Sequence, residues 1–156
     1  MKLSRLLRED MVLLDIRAPD GDGALGEMTG YLAERRALSA ADLFLNRLKE
    51  REKMGSTALG YSVAVPHCRL EGLTAPVVLL ALSRKGVSFG ALDGRPVHVF
   101  FLLATPPDKP DLNLQALAAV AKLVRRSPGI GKQVLRVPTA REVLAAVRAA
   151  EEGADG

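Results

Sequence analysis

The sequence predicts a single α/β domain, and three observations carry that prediction. Two runs, Pro76 to Leu82 (PVVLLAL) and Pro96 to Ala104 (PVHVFFLLA), are almost continuously apolar, as strands covered on both faces of a sheet are. Other stretches carry apolar residues at helical spacing. No repeat, low-complexity tract or long linker divides the 156 residues, a length that suits one domain with a full core.

In chain order, Met11 to Ile16 reads as a short strand. The next stretch, DGDGALGEMTGYLAERRAL, places Leu25, Met28 and Leu32 on one helical face. Gly23, Gly26 and Gly30 each weaken that helix by roughly 1 kcal/mol relative to alanine, so packing must hold it. Ser39 with Asp42 three residues on has the form of a capping box, and Phe44, Leu45 and Leu48 form the stripe of a helix from about Ala40 to Lys53. Three strand-like runs follow: Ser62 to Val65, then the two apolar runs, with the glycines and Asp-Gly signal of GALDGRP turning between the last two. After the proline-rich TPPDKPD, Leu114, Leu117, Ala121 and Val124 mark a helix opening near Asn113, with Asp111 as its expected N-cap. Thr139 and Glu142 suggest a last capping box before VLAAVRAA. The domain is expected to span 1–150, and the tail EEGADG, 151–156, to fray.

Composition excludes several classes. With 48% hydrophobic and 26% charged residues the balance is globular. A single cysteine, Cys68, excludes an internal disulfide, and with only two histidines a four-ligand zinc site is hard to assemble; no metal and no cofactor are expected. The longest apolar run, Val97 to Ala104, falls well short of a bilayer span, and MKLSRLLRED lacks an apolar segment of the kind that directs export. A cytoplasmic protein without membrane insertion is expected. The net charge of +4 favours acidic partners, but the only close basic doublets are Arg35-Arg36 and Arg125-Arg126, and aromatics make up 4%, which argues against nucleic acid.

The chemistry centres on GYSVAVPHCRLEGL, residues 60 to 73. An arbitrary histidine is most often a surface or hydrogen-bonded residue. His67 differs in position: it follows a strand and Pro66, whose fixed φ presents the next side chain rigidly at the end of a sheet. Neutral imidazole is a nucleophile near neutral pH and can carry a phosphoryl group without a metal, provided its other nitrogen is tied to an acceptor. A Cys68–His67 dyad is disfavoured, since neighbours in an extended segment project to opposite sides. His98, inside PVHVFFLLAT, reads as a satisfied strand histidine.

Arg51 lies three residues after Leu48 and seven after Phe44, so the apolar face of its helix comes round to it. Two readings stand: an inward guanidinium that holds an oxyanion with two parallel hydrogen bonds, or a solvated member of RLKEREK. Asn113 likewise is either a helix-start residue or, among unpaired helix-start amides, part of an anion site.

Taken together, RE…GST…G…A.PH and the flanking segments KLSRLLRED, VSFGALDGRPVHVFFLLATP and NLQALAAVAKLVRR resemble the IIA component, fructose/mannitol type, of the phosphoenolpyruvate-dependent phosphotransferase system. FGALDGRPV is most similar to the nitrogen-regulatory branch, whose members regulate partner proteins. The resemblance implies an α/β sandwich, a mixed sheet flanked by helices. It implies that His67 accepts a phosphoryl group from a phosphohistidine carrier protein (HPr-like), that Arg51 assists, and that Ser56 and Thr57 of the GST element contact phosphate. The downstream partner would be a regulatory target or a sugar permease component. Where the family usually has a second active-site histidine, this chain has Asn113, whose NH₂ can donate to a phosphoryl oxygen much as a neutral imidazole N–H does. A non-catalytic binding module of the same fold and a sugar-specific IIA subunit are the alternatives.

Overall fold

The computed structural model describes residues 1–155, with side chains through residue 153. Its centre is a six-stranded mixed sheet built from β1 (Val12–Leu13), β2 (Ala58–Gly60), β3 (Val63–Ala64), β4 (His67–Arg69), β5 (Val77–Val87) and β6 (Val97–Thr105). The order is β1-β5-β6-β3-β2, with β4 also on β6. β5 and β6 are the antiparallel centre, as their continuous apolar runs predict; β1 joins β5, and β3 and β4 join β6, all in parallel. Strand β1 is shorter than Met11 to Ile16, although the Ile16 N–H still donates to the Leu82 carbonyl at 2.7 Å.

Alternation along the two central strands divides the core. Val78, Leu80, Leu82, Val99, Phe101 and Leu103 pack with Val120, Leu123 and Val124 of α3 (Pro110–Arg126), with α4 (Ile130–Leu135), and with Val143 and Val147 of α5 (Ala140–Asp155). Leu79, Ala81, Phe100, Leu102 and Ala104 pack on the other face with Leu25, Met28 and Leu32 of α1 (Gly21–Glu34) and with Phe44 and Leu48 of α2 (Ala41–Lys53). The predicted layers are therefore present, helices on both faces of one sheet.

Several local expectations are corrected. The start of α2 has no capping box: its N-cap is Ala40, without a side-chain hydrogen bond. Asp111 does not cap α3; Lys109 holds that position and Pro110, which has no N–H to lose, opens the helix with Asp111 inside its first turn. The Thr139 cap is present, with its Oγ accepting from the Glu142 N–H at 3.2 Å. Helix α5 runs to Asp155, and the buried Glu151 carboxylate accepts from the N–H groups of Leu3 and Ser4 at 2.7 and 2.8 Å. The carboxylate thus satisfies amides that the short N-terminal helical turn Leu3–Arg5 leaves open, tying the two ends of the chain together.

Two glycines of α1 have a packing reason. A Cβ at Gly23 would lie 2.7 Å from the Ala18 Cβ, and one at Gly21 would lie 3.2 Å from the Phe89 ring, so the first turn can approach its neighbours only without side chains. Nothing lies within 4 Å of a Cβ built on Gly26 or Gly30, and the structure gives no reason for them.

Candidate functional site

Pro66 interrupts the strand rather than ending it. Ser62 takes a positive φ of 64°, β3 covers two residues, and after Pro66 the chain resumes pairing on β6 with His67 opposite Leu103. The proline has no N–H to give, but its carbonyl still accepts from the Leu103 N–H at 3.0 Å, so the segment from Ser62 to Arg69 lies along one strand throughout. His67 is therefore held by a sheet ladder, a firmer mounting than the loop predicted from the proline. Its partner Leu103 faces the α3 layer, whereas Cys68 packs with the α2 layer. A Cys–His dyad is absent, as alternation requires. Burial pushes the Cys68 thiol up to about 12, against a smaller opposing pull from Arg47.

The His67 ring has one nitrogen engaged: Nδ1 lies 2.8 Å from the Val65 carbonyl oxygen. A carbonyl can only accept, so Nδ1 carries the proton and Nε2 keeps the free lone pair. The ring lines a cavity of about 410 Å³ with Arg51, Ser56 and Thr57 on one side and Leu117, Ala118 and Ala121 of α3 on another. The cavity lining is mostly apolar, and within it the guanidinium of Arg51 is the only charged side chain. Arg51 comes from the last turn of α2 and donates through Nη1 to the Gly55 carbonyl at 3.0 Å, an exposed bond that leaves its other N–H groups free. The histidine, Arg51, Ser56 and Thr57 are thus brought together as the sequence anticipates.

Ser56 and Thr57 are engaged differently from expectation. The Ser56 hydroxyl donates to the Phe89 carbonyl at 2.7 Å and accepts from the Ala58 N–H at 3.1 Å. The buried Thr57 gives its N–H to Glu52 Oε2 at 3.0 Å and its hydroxyl to Glu52 Oε1. With both Thr57 donors on one carboxylate, the residue shapes the loop at the end of α2 and has no donor left for a phosphate oxygen in this conformation. Glu52 is the residue that sequence reasoning missed. Its signal was present in the order Arg-Glu followed five residues later by threonine, a spacing that lets the end of a helix reach back over its own exit loop.

Asn113 is separate from this group. It is the fourth residue of α3, does not line the His67 cavity, and accepts through Oδ1 from the Thr105 hydroxyl at 3.5 Å, the long limit of a hydrogen bond. Thr105 ends β6, two residues beyond the partner of His67, so Asn113 stands at the neighbouring strand end. Its NH₂ has no partner among the described residues. His98 is satisfied, Nδ1 lying 2.8 Å from the Ser83 carbonyl. Among the described residues no three His, Cys, Asp or Glu side chains are grouped so as to hold a metal, and no helix is long and apolar enough to cross a membrane.

The family model described as "Phosphoenolpyruvate-dependent sugar phosphotransferase system, EIIA 2" matches residues 5–149. A nitrogen regulatory protein of Bradyrhizobium diazoefficiens is 34% identical over 125 residues, 80% of this chain and 81% of that protein. The fructose-specific EIIABC component of Bacillus subtilis is 26% identical over 92% of this chain, which spans only 22% of that longer protein. The crystal structure of the nitrogen regulatory protein IIA-Ntr from Neisseria meningitidis superposes with a TM-score of 0.82 at 30% identity, covering 93% of this chain and 98% of that one. With the predicted mixed sheet and helical layers in place and the family model matched over 5–149, the chain belongs to the EIIA type-2 family of the phosphoenolpyruvate-dependent sugar phosphotransferase system.

Proposed function

We propose that this chain is a phosphocarrier and regulatory protein of the nitrogen-regulatory type, and that His67 Nε2 takes a phosphoryl group from the phosphohistidine of an HPr-like carrier in the cytoplasm. The observation that carries the reading is the fixed tautomer of His67: Val65 holds the proton on Nδ1, and the free Nε2 lone pair belongs to a ring lining a cavity with one guanidinium. In the transfer, the donor's N–P bond breaks with its electron pair returning to the donor imidazole, and the Nε2–P bond forms. Little covalent chemistry is asked of the protein beyond the nucleophile, so catalysis rests on in-line positioning and on Arg51 stabilising charge on the equatorial oxygens. The mostly apolar lining offers water few hydrogen-bonding partners beside the phosphohistidine, which favours transfer over hydrolysis.

Asn113 replaces the second histidine. With Oδ1 taken by Thr105, its NH₂ is the group that can donate to the phosphoryl oxygen if the strand end and α3 close on the ligand. The place of Asn113 outside the cavity lining also favours a second reading, a binding module that signals by contact alone. Incubation with the general phosphotransferase proteins and labelled phosphoenolpyruvate decides between them. Acid-labile, alkali-stable label that disappears in His67→Ala supports the carrier; a folded wild-type chain that takes no label supports the binding module.

A further inference from the structure

On the far side of Ser56 from His67 lies a second cavity, of about 490 Å³, between the start of α1, the end of α2 and the 88–90 loop after β5. Its walls are tied to one another. Ser88 donates its N–H to the Pro19 carbonyl at 3.0 Å beside a parallel bridge between Asp20 and Ser88, and the Ser56 hydroxyl holds the Phe89 carbonyl. Gly21 lets the helix start come against the Phe89 ring, where a Cβ would lie 3.2 Å away.

The lining carries both signs of charge without internal pairing. Lys49 and Lys53 stand one turn apart on α2, and neither forms an ion pair among the described residues, although Asp20, Asp22 and Glu52 line the same cavity. Glu52 is engaged by Thr57 and Asp20 by the Gly23 N–H, which leaves the Asp22 carboxylate as the acidic group of the lining without a partner among the described residues. Leu25 and Phe89 supply the apolar part of the lining. Asp22 and Lys53 are exposed at the mouth of the cavity and Lys49 is half-buried; a simple anion would meet three carboxylates there and a simple cation two ammonium groups, whereas a molecule with both charges can pair with each sign.

We propose that this cavity binds a small zwitterion, a free amino acid, with its carboxylate toward Lys49 and Lys53, its ammonium toward Asp22 and its side chain against Leu25 and Phe89. The volume is within the range of small-molecule sites. The proposal does not depend on phosphoryl transfer at His67.

The test is calorimetric titration of the full chain with free L-amino acids, followed by comparison of the tightest binder with its amine lacking the carboxylate and its acid lacking the ammonium. The expected result is saturable one-to-one binding with a Kd below about 1 mM, weakened about tenfold or more in each analogue, in Lys49→Gln/Lys53→Gln and in Asp22→Asn. No binding at about 10 mM, equal affinity for the acid-only analogue, or unchanged affinity in both folded variants would overturn it. If a variant fails to fold, the analogue series on the unmodified chain decides alone.

Discussion

Removing the Glu52 carboxylate should loosen the loop that frames the His67 cavity, at a cost that can be worked from two hydrogen bonds. Thr57 is 6% exposed and gives both its N–H and its hydroxyl to Glu52. Hydrogen bonds to a charged group contribute about 1.5–3 kcal/mol each. Glu52 itself is only half-buried, so water can reach part of the vacated space, and Glu52→Ala should cost about 2–3 kcal/mol rather than the sum of the two. For a domain of this size that corresponds to a fall in Tm of about 4–12 °C. Glu52→Gln should lose less, about 1 kcal/mol, because its amide oxygen still accepts from the Thr57 N–H and its NH₂ can donate to the Thr57 hydroxyl oxygen, so only the charge assistance is lost. Thr57→Val keeps the amide bond and should cost about 1 kcal/mol, with a coupling to Glu52 visible in a double-mutant cycle. Since the same loop accepts from Arg51 at Gly55, phosphoryl transfer in Glu52→Ala should slow by about tenfold or more through misplacement. Thermal unfolding and transfer rate are measured on the same samples. A Tm for Glu52→Ala within about 1 °C of wild type would refute the clamp.

Three further outcomes are expected. Arg51→Ala should slow transfer by one to a few powers of ten, about 2–4 kcal/mol, with the fold intact, and Arg51→Lys should recover only part because an ammonium lacks the planar fork; an unchanged transfer rate in the alanine variant returns the residue to the solvated charge run. Asn113→Ala should slow transfer about tenfold while Asn113→His is tolerated, and equal rates in wild type and the alanine variant would show that the amide donates nothing. With its thiol raised to about 12 by burial, Cys68 should react with iodoacetamide far more slowly than a free thiol at pH 8, and the domain should lose stability as pH rises from 9, where the unfolded thiol ionises and the folded one does not, a slope that Cys68→Ala removes; rapid labelling of folded protein would contradict this.

The parts legible in the sequence were those written in long periods. The apolar runs that became β5 and β6 and the stripe of α2 report burial directly, since each lies against a full layer. What escaped was set by contacts across the chain. Strand β2 is three residues with a bulge, β4 lies behind a proline that reads as a stop, and α4 is a six-residue helix, too short for periodicity to register. The caps misplaced at Ser39 and Asp111 show the same limit, because a capping residue is recognised by its type while the helix begins where packing and Pro110 let it. At the site, His67 and Arg51 were legible because strand, proline and helix face all aim at one place. Glu52 was hidden in a charge run, where a carboxylate turned back on its own loop looks like any solvated one.

The central claim is that the phosphoryl group forms its bond to Nε2 of His67, with Nδ1–H retained on the Val65 carbonyl. Proton–nitrogen correlation spectra of the imidazole rings, recorded before and after phosphorylation of ¹⁵N-labelled chain, test it most directly. The account predicts phosphorus coupling at Nε2 of His67 and an unchanged protonated Nδ1. Phosphorus coupling at Nδ1, or on His98, would contradict it.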